Sequence, residues 1–243
     1  MRHCSDMNGR RRLAALTWPD VPDGSLLVVA TGSCEQHGPH LPMDTDLRIA
    51  EHLAGCLVDE RRDAVLAPSI TIGASGEHQS FPGTLSIGTE ALRMVLVELI
   101  RSALPEAGLG RPAPFRGVVV VNGHGGNIDA ASAAARQLAE EGRDVLVWHP
   151  VVRDGDSHAG RTETSLLLHL APEVVRLDRL EVGATARWRE IGDVLRSEGL
   201  AAVTPNGVLG DPRPATAEEG ERLIETLSAE LVTAARERFG PVG

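Results

Sequence analysis

Apolar residues fall along the chain in two alternating patterns. Short unbroken runs at residues 26–30, 64–67, 118–121 and 145–148 are bounded by glycine, proline or polar residues, as buried strands are. Over residues 47–61, 90–104, 128–141 and 166–170 the apolar positions instead recur at three and four, which lines one face of a helix. Residues 217–239 repeat that spacing as a long C-terminal helix, and residues 13–18 read as a short helix that Pro19 ends. Strand and helix in turn predict an α/β domain with a parallel sheet. Residues 105–114 form a Gly/Pro connector rather than a domain linker, because a strand-like run follows at once. No internal repeat appears, so a single domain is expected over residues 13–243, after a loose, flexible basic tail at residues 1–12. Between residues 177 and 209 the pattern thins, and residues 206–212 read as a turn-rich loop.

The strand-like runs open onto polar chemistry. The first leads into Thr31-Gly32-Ser33-Cys34-Glu35-Gln36-His37-Gly38-Pro39-His40-Leu41-Pro42-Met43-Asp44-Thr45-Asp46. Glu35 and His37, two apart, point to one side of an extended chain, and Asp46 returns after a loop stiffened by Pro39 and Pro42. A carboxylate, an imidazole and a second carboxylate suit a divalent transition metal, and a carboxylate can bridge two ions. Asp46 also falls where it would N-cap the helix at residues 47–61, a role compatible with ligation. After the second run, residues 73–84 hold three glycines and a proline around Ser75, Glu77 and His78, a loop suited to shaping a substrate pocket. The third run ends in Asn122-Gly123-His124-Gly125-Gly126-Asn127. Strand ends of a parallel sheet lie side by side, so His124 can meet Glu35, His37 and Asp46. Gly125 and Gly126 offer backbone amides to an oxyanion; a lipase-like reading would need a G-x-S-x-G elbow, which the chain lacks. After the fourth run, Glu163 falls in a helix's first turn, where it suits the dipole. His158 lies in a small-residue loop as a natural proton shuttle.

Composition narrows the chemistry. The net charge of −10 and pI near 5.4 argue against a nucleic-acid partner, and no apolar stretch suits a membrane. All 24 basic residues are arginine, which removes Schiff-base and phosphate-loop lysines. Cys4, Cys34 and Cys56 give neither a metal-binding pair nor a disulfide framework, which points to a cytoplasmic home.

Taken together, Glu35-Gln36-His37-Gly38-Pro39-His40-Leu41-Pro42, Asp46, Phe81-Pro82-Gly83-Thr84, the Asn122 to Asn127 motif, and His158-Ala159-Gly160 with Glu163-Thr164-Ser165 resemble the creatininase family of metal-dependent amidohydrolases. The resemblance implies a single-domain layered sheet, largely parallel, with helices on both faces, commonly assembled as a homo-oligomer. It implies two divalent ions, zinc, iron or manganese, on Glu35, His37, Asp46 and His124, with Asp46 bridging and Glu163 as a fifth ligand. His158 matches the histidine that moves protons. Within the family the chain is most similar to a peptidase branch, which implies release of a modified Val-Tyr-derived C-terminal dipeptide from a small precursor peptide. A formamide deformylase is the alternative, in which Arg153 or Arg161 would meet a phosphate; a non-catalytic binding protein is a third. Creatininase itself has a carboxylate where this chain has Gly126, and aromatic residues where residues 149–157 have none, so the pocket reads as more open than a creatinine site.

Overall fold

Four strands, β1 (Ser25–Thr31), β2 (Ala64–Leu66), β3 (Phe115–Asn122) and β4 (Val145–Trp148), pair in parallel in the order β2-β1-β3-β4. The structure is a computed structural model and describes residues 11–106, 110, 113–186 and 188–242, without the side chains of 188 and 189. Cys4, most of the expected tail, part of the 105–114 connector and the Trp188 side chain lie outside the described residues. Every residue of β1 is buried, since it is paired along both edges and covered on both faces. Alternation along the strand divides the core. Leu26, Val28 and Ala30 pack with α1 (Thr45–Glu60), α4 (Arg161–Leu170) and α6 (Ala217–Phe239), while Leu27 and Val29 pack with α2 (Thr89–Ala103) and α3 (Ile128–Glu140). The result is the layered sheet, helices on both faces, that the pattern and the resemblance led one to expect. A smaller cluster of Leu195, Leu200 and Leu209 lies by α5 (Trp188–Glu198), in the stretch where periodicity was weak. Among the described residues no helix is long and apolar enough to cross a membrane.

Three local expectations need correction. Residues 13–18 are not one helix but contribute to two 3-10 turns, Leu13–Ala15 and Trp18–Asp20. Pro19 lies inside the second, where its missing N–H costs nothing. Arg11 and Arg12 are not loose: Arg11 donates to the Val58 and Arg61 carbonyls, and Arg12 bridges to Leu66. Helix α1 begins at Thr45 with Asp44 in the cap position, so Asp46 is a first-turn residue and not an N-cap. Its carboxylate is therefore free of the helix end.

Two glycines bring that first turn onto the sheet. A Cβ at Gly32, just past β1, would lie 2.5 Å from the Leu47 Cα; one at Gly123, just past β3, would lie 2.2 Å from the Asp46 carbonyl oxygen. Any side chain at either place pushes α1 off the strand ends. Gly123→Ala is expected to cost about 1–3 kcal/mol by overpacking, read as a lower denaturation midpoint. Gly125→Ala is the control, because a Cβ there meets nothing within 4 Å. Equal stability of the two variants would refute the seating argument.

Candidate metal centre

All of the expected ligand residues converge at the carboxyl end of the sheet. Glu35 and His37 lie in the loop after β1, Asp46 in the first turn of α1, His124 after β3, and His158 and Glu163 where the chain enters α4. Glu35 and His37 have no exposure at all, and Asp46, His124 and His158 are buried. Asp46 Oδ1 lies 3.1 Å from His37 Nε2, and its Oδ2 lies 3.1 Å from His124 Nδ1 and accepts the Ser33 hydroxyl at 2.7 Å. Glu35 Oε2 is 3.1 Å from His124 Nε2 and Glu35 Oε1 is 3.3 Å from His78 Nε2. Glu163 Oε2 accepts the Ala159 N–H at 2.6 Å and lies 3.9 Å from His37 Nε2. It therefore supports the turn into α4 and also faces the centre.

Local sequence explains this convergence. Asn122 and Asn127 act as staples: Asn122 Nδ2 donates to the His124 carbonyl at 2.7 Å, and Asn127 Nδ2 donates to the Gly32 carbonyl at 3.0 Å. Asn127 Oδ1 accepts the Ala74 N–H at 2.8 Å, tying in the pocket loop. At the start of α4, Asp156 caps the helix by accepting the Thr162 N–H at 2.9 Å and also the Arg161 N–H. Ala159, with φ of 50°, holds a left-handed conformation that costs an alanine roughly 1–2 kcal/mol, and it turns the chain between His158 and Gly160. His40 donates or accepts at Thr164 Oγ1 over 2.8 Å, which pins the Pro39 to Leu41 bend to α4.

Three trios have ligand atoms within 4.8 Å of one another: Glu35, Asp46 and His124; His37, Asp46 and Glu163; and Glu35, His37 and His158. Asp46 is common to the first two, the position a bridging carboxylate needs. Neither Glu35 oxygen accepts a hydrogen bond despite complete burial. A buried carboxylate without donors is costly unless a cation meets it. The mixed O/N set suits zinc, manganese or iron, so these residues fit a pair of divalent ions.

The pocket loop behaves less uniformly than expected. Ser75 is fully buried, with its hydroxyl 3.5 Å from His124 Nε2, so it backs the histidine instead of facing solvent. Glu77 and His78 lie in a 3-10 turn, Gly76–His78, with Glu77 partly exposed. A Cβ on Gly126 would fall 2.4 Å from His124 Nε2, 2.5 Å from the Ala74 carbonyl and 2.5 Å from Glu77 Oε1. Any side chain at 126 would therefore displace the His124 ring, this carbonyl or the Glu77 carboxylate, itself 3.6 Å from His124 Nε2. Gly125 is exposed at the rim. Arg161 is held by Glu219 at 3.2 Å, which draws it away from the phosphate role considered for it. Sequence reasoning assigned nothing to Ser33, Asp156 or the stapling role of the two asparagines; the paired Asn in the glycine-rich motif was the available signal.

Charge in the metal-free centre follows from burial and proximity. Burial pushes Glu35 up to about 7 against the pull of His124, and Glu163 likewise to about 7. For His37 burial alone would lower the pKa, but Asp46 beside it raises it to about 10. His124 also overcomes burial, through Glu35 and Asp46, and reaches about 9. Asp46 is held well below its usual value because His37 and His124 outweigh its burial. Burial and the neighbouring positive histidines keep His78, at about 3, and His158 neutral.

A raised histidine pKa gives stability that is complete below the unfolded value near 6.5 and disappears as pH rises through the folded value. The metal-free protein should therefore lose melting temperature between pH 7 and 10, where His37 and His124 give up their protons. Ions at this centre displace the same protons. Loading zinc at pH 7 should release about three protons per chain, one each from His37 and His124 and about half from each of Glu35 and Glu163, seen by calorimetry in buffers of different ionisation enthalpy. A heat independent of buffer would contradict the assignment.

The chain has clear counterparts. A family model described as "Creatininase: Creatinine amidohydrolase" matches residues 14–235. A protein of Mycolicibacterium smegmatis named mycofactocin precursor peptide peptidase is 50% identical over 220 residues, 88% of this chain and 84% of that protein. A 2-amino-5-formylamino-6-ribosylaminopyrimidin-4(3H)-one 5'-monophosphate deformylase of Methanothermus fervidus is 29% identical over 78% of this chain and 76% of its own length. Among solved structures, a Zn-Zn type mutant creatininase superposes with a TM-score of 0.76 at 26% identity, over 95% of this chain and 98% of the other.

Proposed function

The chain belongs to the creatininase family, hydrolases of amide C–N bonds, and from that premise we propose that it is a metal-dependent peptidase that releases the modified Val-Tyr-derived C-terminal dipeptide of the mycofactocin precursor peptide. The observation that carries the reading is the 50% identity to a peptidase of that name over most of both chains. Under it, Glu35, Asp46 and His124 would hold one divalent ion and His37, Asp46 and Glu163 the other. Such ions supply Lewis acidity and bring the pKa of a water from 15.7 toward ~7.

The chain's own residues do the rest. Neutral His158, with Nδ1 3.9 Å from Glu35 Oε1 and 4.0 Å from Glu163 Oε2, takes a proton at the centre and delivers it to the leaving nitrogen. Amides of Gly125 and Gly126 receive the oxyanion at the exposed rim. Glu77, His78 and the Ser75 turn shape the pocket wall that meets the peptide end. The reading includes a cytoplasmic homo-oligomer that uses zinc, iron or manganese and binds neither nucleic acid nor membrane.

One anaerobic preparation, analysed for metal and for cleavage of a peptide ending in the modified dipeptide, tests this. The parent should hold about two ions per chain and release the dipeptide, while Asp46→Ala should lose both properties. His158→Ala should keep its metal and lose about 100- to 10,000-fold in kcat. Metal with turnover of a formamide but not of the peptide would move the assignment to the deformylases, and the absence of tightly bound metal would overturn the centre itself.

A further inference from the structure

Gln36 lies between the two ligand residues Glu35 and His37, yet its side chain points into a hydrogen-bond network of its own. Its Nε2 is 3.2 Å from His78 Nδ1, 3.1 Å from His158 Nε2 and 3.1 Å from the Gly207 carbonyl oxygen. The amide's orientation is settled by the Gly38 N–H, which donates to Oε1 at 2.8 Å and so requires the oxygen there. An amide nitrogen carries two protons, and three acceptors cannot all be served.

Two further contacts resolve the competition, because a main-chain carbonyl only accepts. The Gly207 carbonyl takes one Gln36 proton. His158 Nε2 lies 2.9 Å from the Gln36 main-chain oxygen, so this ring nitrogen carries a proton and donates it there. It is then closed to the Gln36 side chain, whose second proton goes to His78 Nδ1. In the neutral His78 ring the single proton is left on Nε2.

Both rings thus carry a proton on Nε2 but turn different nitrogens to the centre. His78 aims Nε2–H toward Glu35 Oε1, 3.3 Å away. His158 turns Nδ1 inward, 3.9 Å from Glu35 Oε1 and 4.0 Å from Glu163 Oε2. We propose that Gln36 is a positioning residue whose side-chain amide sets His78 with its proton toward Glu35 and whose main-chain oxygen turns His158 Nδ1 to the centre, and that the loop around Gly207 exists to hold it.

The loop is built for that purpose. Gly207 has φ of 76°, and a Cβ there would lie 1.9 Å from Gln36 Oε1, so only glycine brings this carbonyl to the amide. Two residues on, Leu209 donates its N–H to the His158 carbonyl at 2.8 Å and accepts from Ser157 N–H at 3.3 Å. Asn206 Oδ1 accepts the Val208 N–H at 3.2 Å, and its Nδ2 donates to the Val182 carbonyl at 3.1 Å, which stiffens the turn. One short segment therefore fixes both the Gln36 side chain and the His158 backbone. The inference rests on the peptidase reading and deepens it by naming the residue that orients both rings at the centre.

The test uses zinc-loaded full-length protein labelled with 15N-histidine and no substrate, so it is independent of what the enzyme cleaves. Ring-nitrogen spectra, with resonances identified through His78→Gln and His158→Gln, should show the proton on Nε2 of both rings. Gln36→Glu replaces the donor by an acceptor. It should switch His78 to Nδ1–H and leave His158, whose partner is the main chain, unchanged. The same variant should lower kcat about 100-fold with KM within about twofold. A proton on Nδ1 of His78 or none on Nε2 of His158 in the parent, or an unaltered His78 in Gln36→Glu, overturns the proposal; correct proton positions without peptide cleavage would instead count against the peptidase reading alone.

Discussion

Two carboxylates, Glu35 and Asp46, are sealed from water, each 3.1 Å from an imidazole, and the balance of charge among them governs the surrounding structure. An ionised carboxylate withdrawn from water costs several kcal/mol unless something of opposite charge or a full set of donors replaces the solvent. Asp46 has such a set in Ser33, His37 and His124. Glu35 does not, and its two oxygens without hydrogen bonds are the point where a cation is most needed. The rigidity nearby answers this need: a centre that must neutralise fixed charges works only if its members cannot drift apart.

That rigidity comes from close backbone approach more than from side-chain bulk. Gly32 and Gly123 let α1 sit directly on two strand ends, and the Asn122 and Asn127 amides tie β1, β3 and the pocket loop together. Gly126 shows the same economy from the other side. A side chain at 126 would meet His124 Nε2, the Ala74 carbonyl and Glu77, so these three groups close over the glycine while Gly125 beside it stays exposed.

Much of this was legible in the residue pattern, for stated reasons. Buried parallel strands read as unbroken apolar runs, and α6 was bounded at Ala217 and Phe239 because its face repeats over many turns. Glu35, His37, Asp46 and His124 could be grouped because the ends of parallel strands are neighbours. Helix starts were less visible. Asp46 suited a cap equally well until α1 proved to begin one residue before it. Long-range hydrogen bonds were invisible altogether: Gln36 meets the Gly207 carbonyl across 171 residues, and no local spacing announces such a partner. The α5 region stayed obscure since its apolar cluster, around Leu195, Leu200 and Leu209, is too small to impose a period on the sequence.

Strand order carries a consequence for the time course of synthesis. The central strand β1 is made first, but its central neighbour β3 begins 90 positions later, with Ser25 paired to Phe115. Non-local parallel pairing of this kind is slow to form. The Gly207 turn that completes the Gln36 network emerges later still. A nascent chain therefore carries Glu35 and His37 long before anything can organise them, and the centre is completed only after residue 207 has left the ribosome.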